Sequence, residues 1–135
     1  MASGGPNEVW SYGEKVYDIT VKYLHLREKL KPYITTLMEA AHEKGTPVMR
    51  PMFYDFPTDK ACWGELTQYM FGPDLLVAPV MEAGAEERQV YLPEGVWYDA
   101  WTGEEIVGGK WITAKTPLDV IPVYTQKAEM AELFQ

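Results

Sequence analysis

The sequence predicts an α+β fold, a long helical segment followed by a small antiparallel β-sandwich. Three observations predict it. Residues 13–44 carry apolar side chains at three- and four-residue spacing, the mark of one helix face. Residues 68–124 hold short apolar runs bounded by Gly and Pro, which read as strands joined by turns. The helical and strand segments are segregated along the chain rather than alternating, which separates α+β from a parallel α/β design.

The helical stripe runs through Val16, Ile19, Tyr23, Leu26, Leu30, Tyr33, Leu37 and Ala41, with Lys22, Glu28, Lys29 and Lys31 off it. Pro32 falls inside this stripe. Proline removes one backbone donor and crowds the preceding turn, so a kink near Leu30, or two helices meeting there, is expected. Gly45 supplies a left-handed C-terminal cap and Pro47 prevents the helix from resuming. Glu39 and Glu43 lie four residues apart, the spacing of an acid–base pair. No matching acid stands on another element, so they read as a solvated helix face.

Residues 47–56 (PVMRPMFYDF) form a short apolar strand that Pro51 confines to a sheet edge or terminates. Arg50 is its basic residue and must be paired if buried, either in a structural ion pair or by facing a ligand. Residues 57–60 form a turn, and 61–69 a short helical turn presenting Trp63 and Leu66. The strand Leu75-Leu76-Val77-Ala78-Pro79-Val80 precedes a charged turn. A second strand covers 88–92, and a Pro93-Glu94-Gly95 turn leads to the aromatic strand Val96-Trp97-Tyr98. After Gly108-Gly109 come Trp111-Ile112-Thr113, then a last strand over 118–124 interrupted by Pro122. The end of the chain, 125–135, suits a short helix or a frayed terminus. In all, four or five antiparallel strands are expected.

The formal net charge of −8 argues against nucleic-acid binding, which needs a basic surface, and gives no reason to expect an anionic membrane as partner. No apolar run approaches the roughly 20 residues of a membrane span. The single cysteine, Cys62, precludes an intrachain disulfide and fits a cytoplasmic location. Beside Trp63 it reads as a small buried hydrophobe, because His25 and His42 belong to the helical segment and cannot serve it as a base.

Phosphate loops, zinc-ligand spacing, nucleophile triads and dinucleotide fingerprints are missing from the sequence. Asp55, Asp59, Asp74 and Asp99 stand next to Pro, Gly or aromatic residues and read as turn formers. Asp74, in Gly-Pro-Asp, is the most tempting catalytic candidate among them. Trp97, Tyr98, Trp101 and Trp111 offer ring faces for sugar stacking, but strand aromatics of this density more often pack a core.

Four motifs in order, LKPYI (30–34), GTPVMRPMF (45–53), QYMFGPDLLVAPV (68–80) and YLPEGVWY (91–98), resemble glycoside hydrolase family 31, the α-glucosidases and α-xylosidases. The resemblance spans about residues 8–124, and DKACWGELTQY (59–69) looks most like the bacterial α-xylosidase branch. It implies a (β/α)8 barrel followed by small β-sandwiches. Residues 1–7 would then be a linker, 8–56 the remnant of the last barrel helix and strand, and 57–69 a connector. The proximal sandwich would span 70–124, with an atypical tail over 125–135. Leu66 and Thr67 stand where the family commonly places an acid.

The family hydrolyses α-glycosidic bonds with retention through two aspartates, both upstream of anything in this sequence. The resemblance therefore implies no catalytic, substrate-binding or metal residue here, and no cofactor. It implies a non-catalytic, scaffolding C-terminal fragment, with α-linked oligosaccharide met only through the parent enzyme. The alternative is a carbohydrate-binding or protein-interaction module using exposed aromatics. With the barrel missing, the helix face would stay exposed, and self-association through it is expected.

Overall fold

The structure, a computed structural model, describes residues 6–64, 67–80, 84–117 and 120–135, with side chains from residue 21 onward. The element order is helix first, strands after. Helix α1 spans Pro6–Lys44. Its first residue is proline, which fits the first helical position because its missing N–H would be unpaired there in any case. The helix therefore begins seven residues before the apolar stripe and takes in part of the segment assigned as linker. It runs unbroken through Pro32, so the two-helix alternative is not what forms. The Thr36 hydroxyl donates to the Pro32 carbonyl at 3.0 Å. Gly45, at φ +70°, ends it as the sequence predicts, with its N–H on the Ala41 carbonyl.

Eight short strands follow among the described residues, all paired antiparallel. They are β1 Met49–Pro51, β2 Tyr69–Phe71, β3 Leu75–Val77, β4 Glu87–Leu92, β5 Val96–Asp99, β6 Glu105–Val107, β7 Lys110–Lys115 and β8 Val123–Thr125. Two short helices complete the set, α2 Met52–Asp55 and α3 Ala128–Glu132, with a 3-10 turn at Lys60–Trp63. The expected strand over 118–124 narrows to β8, which begins after Pro122 and takes in Thr125. Leu118 and Asp119 lie outside the described residues, as do Leu66 and residues 81–83 of the charged turn. The chain end is no frayed tail, since Met130 and Ala131 of α3 are buried.

Six strands form one sheet in the order β1-β2-β3-β8-β5-β6, and β4 and β7 form a two-stranded sheet. β1 lies at the edge, where the missing donor of Pro51 costs no ladder bond. The larger sheet draws this edge strand, Met49–Pro51, from upstream of residues 70–124.

Side chains alternate across the large sheet and divide the core in two. Met70, Leu76, Trp97 and Tyr124 point to one face, where Val90, Leu92 and Ala114 of the smaller sheet close over them. Leu75, Val123 and Ala100 point to the other face, with Phe71 and Val77 beside them. Leu26, Leu30, Tyr33 and Ile34 of α1 cover that second face together with Met130, Leu133 and Phe134 of the chain end. The helical stripe over 26–34 thus packs on the sandwich itself, which differs from the exposed face expected for it.

One polar contact fixes the helix on the sheet. The Tyr33 hydroxyl donates to the Phe71 carbonyl at 2.7 Å and accepts from the Asp74 N–H at 3.0 Å. Gly72 lies beneath this contact at φ +69°, and a Cβ there would come within 2.6 Å of Leu37 and collide with the Tyr33 hydroxyl. Burial pushes the Tyr33 hydroxyl up to about 12.

Candidate functional site

Each aspartate considered as a candidate has a place in the fold. Asp55 receives both Nε and Nη2 of Arg50, at 2.8 and 3.0 Å, and Arg50 also donates to the Pro47 carbonyl. Arg50 is 5% exposed and its guanidinium lies 4.8 Å from the Tyr54 ring centre. It is the structural ion pair, not a ligand-facing arginine. Asp59 caps the 3-10 turn by accepting from the Ala61 N–H at 3.0 Å, and its other oxygen accepts from the Tyr91 hydroxyl at 2.6 Å. Asp74 pairs with Lys127 at 3.2 Å. Asp99 accepts from the Trp101 N–H at 2.9 Å. Asp59 and Asp99 thus accept from a backbone N–H two residues on, the turn role their neighbours predict, whereas Asp55 and Asp74 are held in ion pairs.

Glu39 and Glu43 are exposed on α1. Cys62 is 2% exposed, and burial pushes its thiol up to about 11, which suppresses the reactive thiolate. Among the described residues no group of three or more His, Cys, Asp and Glu is arranged to hold a metal ion.

The four aromatics considered as a sugar platform do not assemble into one. Trp97 is 1% exposed and donates to the Pro93 carbonyl inside the core. Trp101 meets Tyr23 and Phe134 edge-on, at 5.9 and 5.2 Å, and so belongs to the contact between α1 and the chain end. Tyr98 is half-buried on β5. Trp111 alone of the four is largely open, 52% exposed, on the outward face of β7 opposite Tyr91. A stack not anticipated from the sequence joins Trp63 to Phe53, with centroids 4.4 Å apart and planes 14° apart. The Trp63 indole donates to the Pro57 carbonyl, which sets the ring's orientation.

Gln68 is the residue the sequence reading passed over. Buried at 5% exposure, it donates through Nε2 to the Tyr91 carbonyl at 2.6 Å and accepts from the Tyr91 N–H at 2.9 Å. It stands in for a third strand along the open edge of β4 and ties the smaller sheet to the larger. Arg88 makes a second tie, donating to the Thr67 and Pro79 carbonyls. A lone Gln in QYM carries no sequence signal for this role, because the partner lies 23 residues away.

Between the turn over 56–60 and the turns at Pro93–Gly95 and Gly109 lies an open cleft of about 870 Å³, lined by Phe56, Asp59, Lys60, Tyr91, Glu94 and Gly109 among others. Burial and the bond to Asp59 push the Tyr91 hydroxyl up to about 12, so it stays a donor.

Comparison with known proteins gives consistent matches. Residues 45–129 match the family described as the glycosyl hydrolase family 31 C-terminal domain. The chain is 36% identical over 126 residues to alpha-glucosidase 2 of Bacillus thermoamyloliquefaciens, covering 93% of this chain and 16% of that protein. It is 38% identical over 129 residues to the alpha-xylosidase of Saccharolobus solfataricus, covering 95% and 18% respectively. Its fold matches the crystal structure of a GH31 alpha-xylosidase from a soil metagenome, complexed with xylose, at TM-score 0.85 and 50% identity. That match covers 97% of this chain and 20% of the other. The chain therefore spans less than a fifth of the length of the two curated relatives named here.

Proposed function

Since this chain belongs to glycosyl hydrolase family 31, whose C-terminal domain it carries, we propose that it is a non-catalytic, scaffolding part of a retaining α-glycosidase acting on α-glucosides or α-xylosides. The observation that carries this reading is the engagement of the four aspartates whose side chains are described. Asp55, Asp59, Asp74 and Asp99 are held by Arg50, by Tyr91 and Ala61, by Lys127 and by the Trp101 N–H respectively. A retaining mechanism needs two carboxyls roughly 5–5.5 Å apart, one free to attack and one free to transfer a proton. Carboxylates used as caps and ion-pair partners are not free for either role.

The scaffold reading draws support from the three-layer packing. A long helix is bound to the sandwich along one face, which makes a rigid unit for the rest of a longer enzyme to rest on. Deleting the matched region from a full-length relative is expected to abolish soluble, active enzyme. A truncated relative with unchanged activity and melting temperature would overturn the scaffold role.

Self-association through the helix is a second proposal. Leu24 and Met38 of α1 are 54% and 59% exposed, apolar surface that a partner copy would cover. Light scattering at micromolar concentration is expected to give more than a monomer mass, and a strict monomer would remove the proposal.

A further inference from the structure

Of the two edges of the smaller sheet, Gln68 closes the one at β4. Tyr91 turns its N–H and C=O away from β7, and the Gln68 amide takes both. At the other end of the ladder the Thr116 N–H donates to the Glu86 carbonyl, so that pair is a bonded one. Antiparallel ladders alternate bonded and non-bonded pairs. Counted in from both ends, Arg88–Ala114, Val90–Ile112 and Leu92–Lys110 are the bonded pairs, and Glu87–Lys115, Gln89–Thr113 and Tyr91–Trp111 the non-bonded ones. Trp111, Thr113 and Lys115 therefore aim their N–H and C=O groups out along the far edge of β7. Among the described residues nothing bonds these groups.

An open edge of this kind is a template for another strand. The edges of the larger sheet are less suited. β1 carries Pro51, which has no N–H, and β6 has three residues and carries Glu105. β7 has six residues and an indole 52% exposed. Its sequence is complementary to itself. Antiparallel pairing about Thr113 sets Thr113 opposite the partner's Thr113, Trp111 opposite the partner's Lys115 and Ile112 opposite the partner's Ala114. This register alone pairs the three outward residues among themselves, which makes six backbone bonds. Lys110 falls opposite the partner's Thr116, so no two like charges stand directly opposite. Glu87 offsets the Lys115 charge at 3.2 Å, and the lysine stem can lie along the facing indole.

We infer that the free edge of β7 pairs antiparallel with β7 of a second copy of this chain about Thr113, joining the two small sheets into one of four strands. The contact is separate from the helix face and rests neither on it nor on the scaffolding role. One short strand makes an interface at the low end of the size range of specific complexes, so the dimer is weak, with Kd on the order of 0.1 mM.

The test is a dilution series of the whole chain, isotope-labelled, from about 1 mM to about 10 µM, on either side of that Kd. The amide signals of Trp111, Thr113 and Lys115 are expected to shift with concentration while those of α1 stay in place. Thr113→Pro removes the central outward donor and keeps every β4–β7 bond, because that N–H faces away from β4. It is expected to weaken association about tenfold. Trp111→Lys sets a lysine against the partner's Lys115, is expected to weaken association about tenfold, and serves if the proline variant misfolds. Thr113→Cys lies on the two-fold axis, where a bonded antiparallel pair holds its Cα atoms about 5.5 Å apart, within disulfide reach. Oxidation is expected to link it into dimers about ten times faster than Thr102→Cys, at an exposed turn. Cys62, at 2% exposure, does not compete. No shift of the three signals up to about 1 mM would overturn the pairing, as would shifts confined to α1, which would locate self-association on the helix instead. Association unchanged in both variants, or Thr113→Cys linking no faster than Thr102→Cys, would overturn the pairing about Thr113.

Discussion

Gln68 completes the backbone hydrogen bonding of Tyr91 from both sides, donating to its carbonyl at 2.6 Å and accepting from its N–H at 2.9 Å. Through these two bonds a side chain next to β2 of the six-stranded sheet closes the free edge of the two-stranded one. Gln68→Leu keeps the volume and removes both bonds, leaving two buried backbone groups unpaired at about 1–3 kcal/mol each. Denaturant unfolding is expected to show a loss of about 2–5 kcal/mol. Gln68→Glu is expected to recover only part of it, because a carboxylate accepts from the N–H but donates nothing to the carbonyl.

Arg50 and Asp55 form a two-pronged pair with side chains 5% and 18% exposed. Removing one partner strands a buried charge, so Asp55→Ala is expected to cost about 3–5 kcal/mol. Arg50→Met with Asp55→Ala is expected to be less damaging than Asp55→Ala alone. A double variant as unstable as the single one would show that the site needs the hydrogen bonds rather than neutrality.

Tyr33, Tyr91 and Tyr124 all have their hydroxyls pushed upward by burial, the first two to about 12. In the unfolded chain they ionise near 10. Below that pH both states keep the proton, and the stability is present in full. Between about pH 10 and pH 12 the unfolded chain releases protons that the folded one retains, so stability falls as pH rises. Alkaline unfolding followed by tyrosinate absorbance is expected to begin above pH 10. Tyr33→Phe, which cannot ionise, is expected to flatten that fall while lowering stability at neutral pH through loss of its bonds to Phe71 and Asp74.

Much of this was readable from residue pattern. The 3.6 period from Val16 to Ala41 gave α1, Gly45 its end, and Pro51 the edge position of β1. The start of α1 was missed because its first residues, PNEVWSYGEK, lack an apolar stripe; Pro6 at the first helical position was the available sign. β6, three residues between turns, is too short to show a period. Sheet order was beyond local pattern, since β8 pairs with both β3 and β5, far earlier in the chain. The fate of the aromatics was hidden for the same reason. Trp97 and Trp111 look alike in sequence, and only the register of β4 on β7 and the cover over β5 send one inward and the other out.

The most direct measurement is hydrolysis of nitrophenyl α-xyloside and α-glucoside by the purified chain, with its intact mass confirmed. The account predicts no turnover above the uncatalysed rate, because the four described aspartates are engaged in holding the fold together. Turnover that persists through repurification and falls in Asp59→Asn or Asp74→Asn would contradict it and place catalytic carboxylates within these 135 residues.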